Sequence, residues 1–113
     1  MRYMALLYAP PMPPDMEMPP EAMQAWFTYT EEAQKAGVYV DASQLAPHTS
    51  ATTVAMHDGK RIVSDGPFAE TKEVLGGYYI FECPNIDQAL DWAAKCPIVH
   101  VGGKVEVRPL IEH

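Results

Sequence analysis

Residues 2–9 read Arg-Tyr-Met-Ala-Leu-Leu-Tyr-Ala and are apolar at odd and even positions alike, until Pro10 and Pro11 stop the run. A strand of this kind buries both of its faces, so it belongs in the middle of a sheet with something packed on each side. Whatever else the chain forms has to supply two covers for one sheet.

Two segments have helical periodicity. Pro20 and Glu21 open the first as a helix N-terminus prefers. Met23, Trp26, Phe27, Thr30 and Ala33 follow at three- and four-residue steps, an apolar stripe, and Gly37 ends the helix. The second starts at Asn85, a capping residue with Gln88 three positions later. Ile86, Ala89, Leu90, Ala93 and Cys96 form its apolar face, and Pro97 ends it. Strands are expected at Val38–Leu45, Gly77–Cys83 and Lys104–Leu110. In the last of these, alternation puts Val105 and Val107 on one face and Glu106 and Arg108 on the other. Ala51–Met56 and Lys60–Val63 flank His57-Asp58-Gly59-Lys60, and an Asp-Gly between two β-rich runs marks a hairpin. Asp65–Gly77 reads as an ordered loop.

The order is β-α-β, hairpin, β-α-β: an α+β, ferredoxin-like βαββαβ chain with an antiparallel sheet. Both helices go to one face of that sheet, so the other face has no cover within the chain. An apolar face of that size aggregates unless it is buried. The expectation is a homodimer, sheet against sheet, forming a dimeric α+β barrel.

Composition narrows the partners. With 113 residues, 48% of them hydrophobic, the chain is read as one domain over 1–113 with a core of its own. The net charge of −7, from 15 acidic and 8 basic residues, argues against nucleic acid, which needs a basic face, and against anionic lipid. No stretch approaches the roughly 20 apolar residues of a membrane span. The first residues lack the longer apolar run of a signal peptide, so a cytoplasmic location is expected. The two cysteines, Cys83 and Cys96, form no CxxC pair, and no histidine–carboxylate group has metal-ligand spacing. Neither a metal nor another cofactor is expected, and no phosphate-binding glycine loop occurs.

Residues 10–20 hold six prolines with Met12, Met16 and Met18 between them. No regular element tolerates this. The methionines either cap the core beneath a loop, as gap-filling side chains, or form a mobile apolar lid over a pocket.

Asp65-Gly66-Pro67-Phe68-Ala69-Glu70-Thr71-Lys72-Glu73, followed by Leu75-Gly76-Gly77-Tyr78-Tyr79, resembles the DGPF signature of YCII-related proteins. Gln44-Leu45-Ala46-Pro47 with Ala51-Thr52-Thr53-Val54, the α-helical Asp87, Ala89, Leu90, Trp92, Ala93 and Pro97, and Val105-Glu106-Val107-Arg108-Pro109 match in order. The segment 10–20 is the least family-like part. The resemblance implies a dimeric α+β barrel with a cleft lined by the DGPF loop. It implies little about chemistry. Some relatives look like enzymes built on a His–Asp pair, and this branch is often linked with sigma factors of the extracytoplasmic-function type.

Asp65 is the first functional candidate. Gly66 and Pro67 can hold its carboxylate at a fixed angle, as a general base requires, or Asp65 can bond its own loop in an Asx-turn. Arg108 can anchor an anion or bridge to a carboxylate, including one of a partner subunit. Tyr78 or Tyr79 will face the helices and the other the dimer side; a Tyr78 hydroxyl in a cleft can polarise a carbonyl. His48, Phe68, Glu70 and Lys72 are candidates to line the substrate side, with Glu70, Lys72 and Glu73 otherwise a surface ion-pair network. His48 does not match a catalytic histidine of the wider family. Two functions follow: a cofactor-free enzyme moving protons on a small oxygenated or aromatic molecule, or a non-catalytic dimer binding a small ligand or a regulatory protein.

Overall fold

The structure is a computed structural model and describes residues 1–13, 15–69 and 71–113. The central strand is β1, Arg2–Ala9. Proline at its first turn and Glu21 behind it start helix α1, Pro20–Lys35, and Gly37 follows the helix with a φ of +75°. Strand β2 covers Tyr39–Gln44, β3 Thr52–His57 and β4 Lys60–Asp65. Strand β5, Val74–Glu82, begins three residues earlier than its apolar run suggests, which shortens the DGPF loop. Helix α2, Ile86–Lys95, is capped as expected, the Gln88 backbone N–H donating to the Asn85 side chain at 3.0 Å. Strand β6 is Lys104–Pro109.

Four strands form one antiparallel sheet in the order β2-β5-β1-β6. That order, with both helices crossing the same side, is compatible with the ferredoxin-like arrangement. The hairpin β3–β4 is a separate two-stranded ribbon. Its register brings Asp58 and Gly59 to the tip with φ of 50° and 76°, both in the left-handed region, as the I′ turn of a two-residue hairpin demands. Val54, Met56, Ile62 and Val63 along it are all exposed.

The core lies between the helices and one face of the sheet. Tyr3, Ala5 and Leu7 of β1 and Tyr79 and Phe81 of β5 are buried there, with Cys83 beyond the strand end. Aromatic rings make up much of this layer. Tyr29 meets Tyr79 edge-on at 5.2 Å between ring centres, and Tyr79 stacks on Phe81 at 5.6 Å. Burial pushes the Tyr29 hydroxyl's pKa up, and it donates to the Trp92 carbonyl oxygen at 2.8 Å.

Two expected helix faces are corrected. In α1 the buried residues are Tyr29 and Ala33, while Met23 and Phe27 are exposed. The stripe is turned toward Tyr29, because its ring completes the aromatic layer against β5. In α2 Ala89 and Ala93 are buried and Ile86 and Leu90 are exposed. Small residues let this short helix lie close to the sheet, and its larger aliphatic side chains are left outside.

The opposite face of the sheet carries Met4, Leu6 and Tyr8 from β1 and Tyr78 and Ile80 from β5, all half-buried. No element of the described residues packs over it. The molecule is a slab 19 Å deep against 48 and 41 Å in its other dimensions. Its radius of gyration is 16.1 Å, where a compact chain of this length would reach about 13 Å.

Candidate functional site

A cavity of about 550 Å³ opens at one end of the sheet, on the helix side. Leu7, Tyr79 and Gly77 form its floor, where β1 and β5 run beneath α1. Trp26, Phe27 and Thr30, one turn apart on α1, form a wall. The chain leaving β2, from Gln44 to His48, borders it on another side. Met12, Met16 and Met18 of the Pro/Met segment line it on a further side. Met12 and Met16 are more than half exposed, so they do not fill the core. They line the cavity from the side of this segment. Proline keeps this segment out of helix and strand, so it can lie across the opening.

The lining is largely apolar and holds a few polar groups. The Thr30 and Tyr79 hydroxyls share a hydrogen bond of 2.7 Å. Two hydroxyls bonded to each other use one hydrogen and leave one. Burial pushes the Tyr79 phenol's pKa up, a shift the bond to Thr30 opposes, so the phenol stays neutral. His48 borders the same space from a short 3₁₀ turn, His48–Ser50.

The sequence candidates are spread over three places. His48 is at the cavity. Tyr78 also borders it, but its hydroxyl donates to Asp41 Oδ2 at 3.4 Å, next to the open face. Tyr79 takes the helix side, so the two tyrosines divide as alternation requires. Arg108 is exposed on the open face, on β6, with β1 lying between it and β5. Asp65 pairs with Thr52 at the base of the hairpin and is exposed. Among the described residues its side chain makes no hydrogen bond, so the Asx-turn is not formed there. Phe68 is 90% exposed and Lys72 is exposed too. Glu70 lies outside the described residues. Glu73 takes the Lys104 ammonium as its ion-pair partner.

Asp65, Tyr78 and Arg108 therefore do not converge within one chain. The cavity residues missed from sequence are Trp26, Phe27, Thr30 and Tyr79, which read there as core stripe and core strand. The signal available for them was the methionine run, whose lid reading implied a pocket underneath.

The family model of the YCII-related domain matches residues 1–113. A protein of Rhizobium meliloti (strain 1021), described only as uncharacterized, is 44% identical over 77 residues, which is 67% of this chain and 62% of that protein. The match thus spans less than two thirds of the relative's own length. The ferredoxin-like strand order, the DGPF loop between β4 and β5 and the family match from end to end agree: the chain belongs to the YCII-related family.

Proposed function

We propose that the chain is a homodimeric binding protein for a small, uncharged, largely apolar molecule with one or two oxygen atoms, held beneath the Pro/Met segment. The observation that carries this is the cavity's lining: exposed methionines on one side, Trp26 and Phe27 on another, and one hydrogen-bonded hydroxyl pair at the floor. Its volume of about 550 Å³ suits a ligand of one or two rings. Methionines adapt to flat or irregular apolar surfaces, and the spare hydroxyl hydrogen of the Thr30–Tyr79 pair suits a carbonyl or ether oxygen. Among the described residues no buried charge faces the space, which disfavours an ionic ligand. The thin slab and its open apolar face support the dimer.

A second reading, acid/base catalysis on such a molecule, is favoured by His48 bordering the same cavity. Histidine is the side chain suited to proton transfer near neutrality. Asp65 and Arg108 would join this chemistry only through a partner or a movement of the hairpin.

The test is a thermal-shift and fluorescence screen with aromatic alcohols, ketones and ethers of one or two rings. A ligand raises the melting temperature and quenches Trp26, one of two tryptophans. Phe27→Glu, at a position 64% exposed, should abolish both effects and leave the fold intact. Binding that survives Phe27→Glu, or none across the panel, overturns the assignment. Product formation that is lost in His48→Ala selects the enzyme.

A further inference from the structure

Sulfur occupies two kinds of place in this chain. Cys83 and Cys96 are buried in the core, and burial pushes both thiols' pKa values up, so neither is held as the reactive thiolate. The seven methionines lie elsewhere, and none is among the buried residues of the core. Met1, Met12, Met16, Met23 and Met56 are exposed, while Met4 and Met18 are half-buried. Of the exposed five, Met12 and Met16 alone line the cavity, with 54% and 57% of their surface open to solvent. Met56 on the hairpin is more exposed still, at 66%, and has no part in that lining. The prolines around Met12 and Met16 keep their backbone out of helix and strand. A single turn bond stands between them, the Met16 N–H donating to the Pro13 carbonyl oxygen at 3.0 Å. A chemical change at these two side chains alters the cavity wall and leaves the core as it was.

We propose that Met12 and Met16 are an oxidation site, at which a peroxide converts the two thioethers to sulfoxides and lowers the cavity's affinity for its apolar ligand. The proposal rests on the binding reading above and adds its regulation. In each step the methionine sulfur attacks one peroxide oxygen. An S–O bond forms, the O–O bond breaks, and the sulfur gives up two electrons. The proton on the attacked oxygen passes to the other, which leaves as water, or as an alcohol where the peroxide is organic. This asks only for a thioether that solvent reaches, which Met12 and Met16 offer and the buried sulfurs do not. A thioether is apolar and adapts its shape to what it touches, whereas a sulfoxide is polar and accepts hydrogen bonds. A ligand packing on the oxidised wall has to strip water from two sulfoxide oxygens, and a ketone or ether returns no donor for it. Because the segment is exposed and outside helix and strand, its sulfoxides stay open to the reductases that restore the thioether at the expense of a dithiol.

The test treats the full chain with graded hydrogen peroxide. Peptide mass mapping reads the oxygen added at each methionine, and Trp26 quenching reads the Kd of a ketone or ether from the screen before and after treatment. Met12 and Met16 should be converted at doses that spare Met4 and Met18. Circular dichroism should not change, and the Kd should rise about tenfold or more as the two sites fill. Reduction by a methionine sulfoxide reductase with a dithiol should bring it back. The ratio of Kd after to before treatment should stay near one in Met12→Leu/Met16→Leu, whatever that variant's starting affinity. Met56→Leu should bind as wild type does and lose affinity on treatment as wild type does. Met12 and Met16 left unoxidised while Met56 is converted, or a Kd unmoved once both are sulfoxides, or an equal loss in the double variant, overturns the oxidation site and leaves the binding reading standing. An untreated wild type that binds nothing in the screen overturns the binding reading, and the regulation with it.

Discussion

Gly77 of β5 lies tight against β2. A Cβ there would stand 2.7 Å from the Ser43 carbonyl oxygen, so Gly77→Ala must push β2 outward and deform the cavity that both residues border. We expect a loss of about 1–3 kcal/mol in urea denaturation, together with weaker ligand binding. Two residues on, Tyr79→Phe leaves the Thr30 hydroxyl without its partner. That should cost about 1 kcal/mol and remove the polar selectivity of the site. The buried phenols and thiols also make a pH prediction. Tyr29, Tyr79, Cys83 and Cys96 all have raised pKa values, in each case chiefly through burial, Cys96 to about 11. The folded chain then holds these protons more tightly than the unfolded one. Their stabilisation is complete below the ordinary values of 9.0 for the thiols and 10.0 for the phenols, and is lost as pH rises through the folded values. The melting temperature should fall steadily above pH 9.0. A rise there would contradict the burial of these groups.

At the scale of elements, the hairpin and the helices behave differently. The hairpin's turn was legible from Asp58-Gly59 alone, because only residues tolerant of positive φ suit a I′ turn. Its role was not legible, since a ribbon pairing only with itself leaves no trace in its own pattern. Gly59→Ala puts a side chain at a φ of +76° and should cost about 1 kcal/mol locally. Amides of β3 and β4 should then exchange faster, while the global melting temperature hardly moves. A large global drop would mean that the hairpin is packed in the assembly. The helix stripes were legible to within a fraction of a turn. Periodicity counts Phe27 and Leu90 as core because they are large and apolar. Packing instead selects Tyr29, whose ring fits the layer and whose hydroxyl finds a carbonyl.

Across the whole molecule, the uncovered sheet face dominates. Leu6 sits in its centre between Tyr78 and Glu106. If this face is buried in the proposed dimer, Leu6→Glu leaves the secondary structure unchanged by circular dichroism and raises the Kd of that dimer at least about a hundredfold, since it puts an unpaired charge into the buried face. Sedimentation reads this directly.

Sequence by itself determined the order of elements, the caps, the hairpin turn, the family and the fact that one sheet had two faces to cover. These follow from local sterics and from periods of two and 3.6, which act over a few residues. Tertiary structure alone decided where the chemistry gathers. It set His48 on the border of the cavity that Tyr79 and Thr30 also line, and kept Asp65 on the hairpin and Arg108 on the far edge of the sheet. Such meetings depend on strand order and register, which bring together residues dozens of positions apart and leave no periodic mark in the chain.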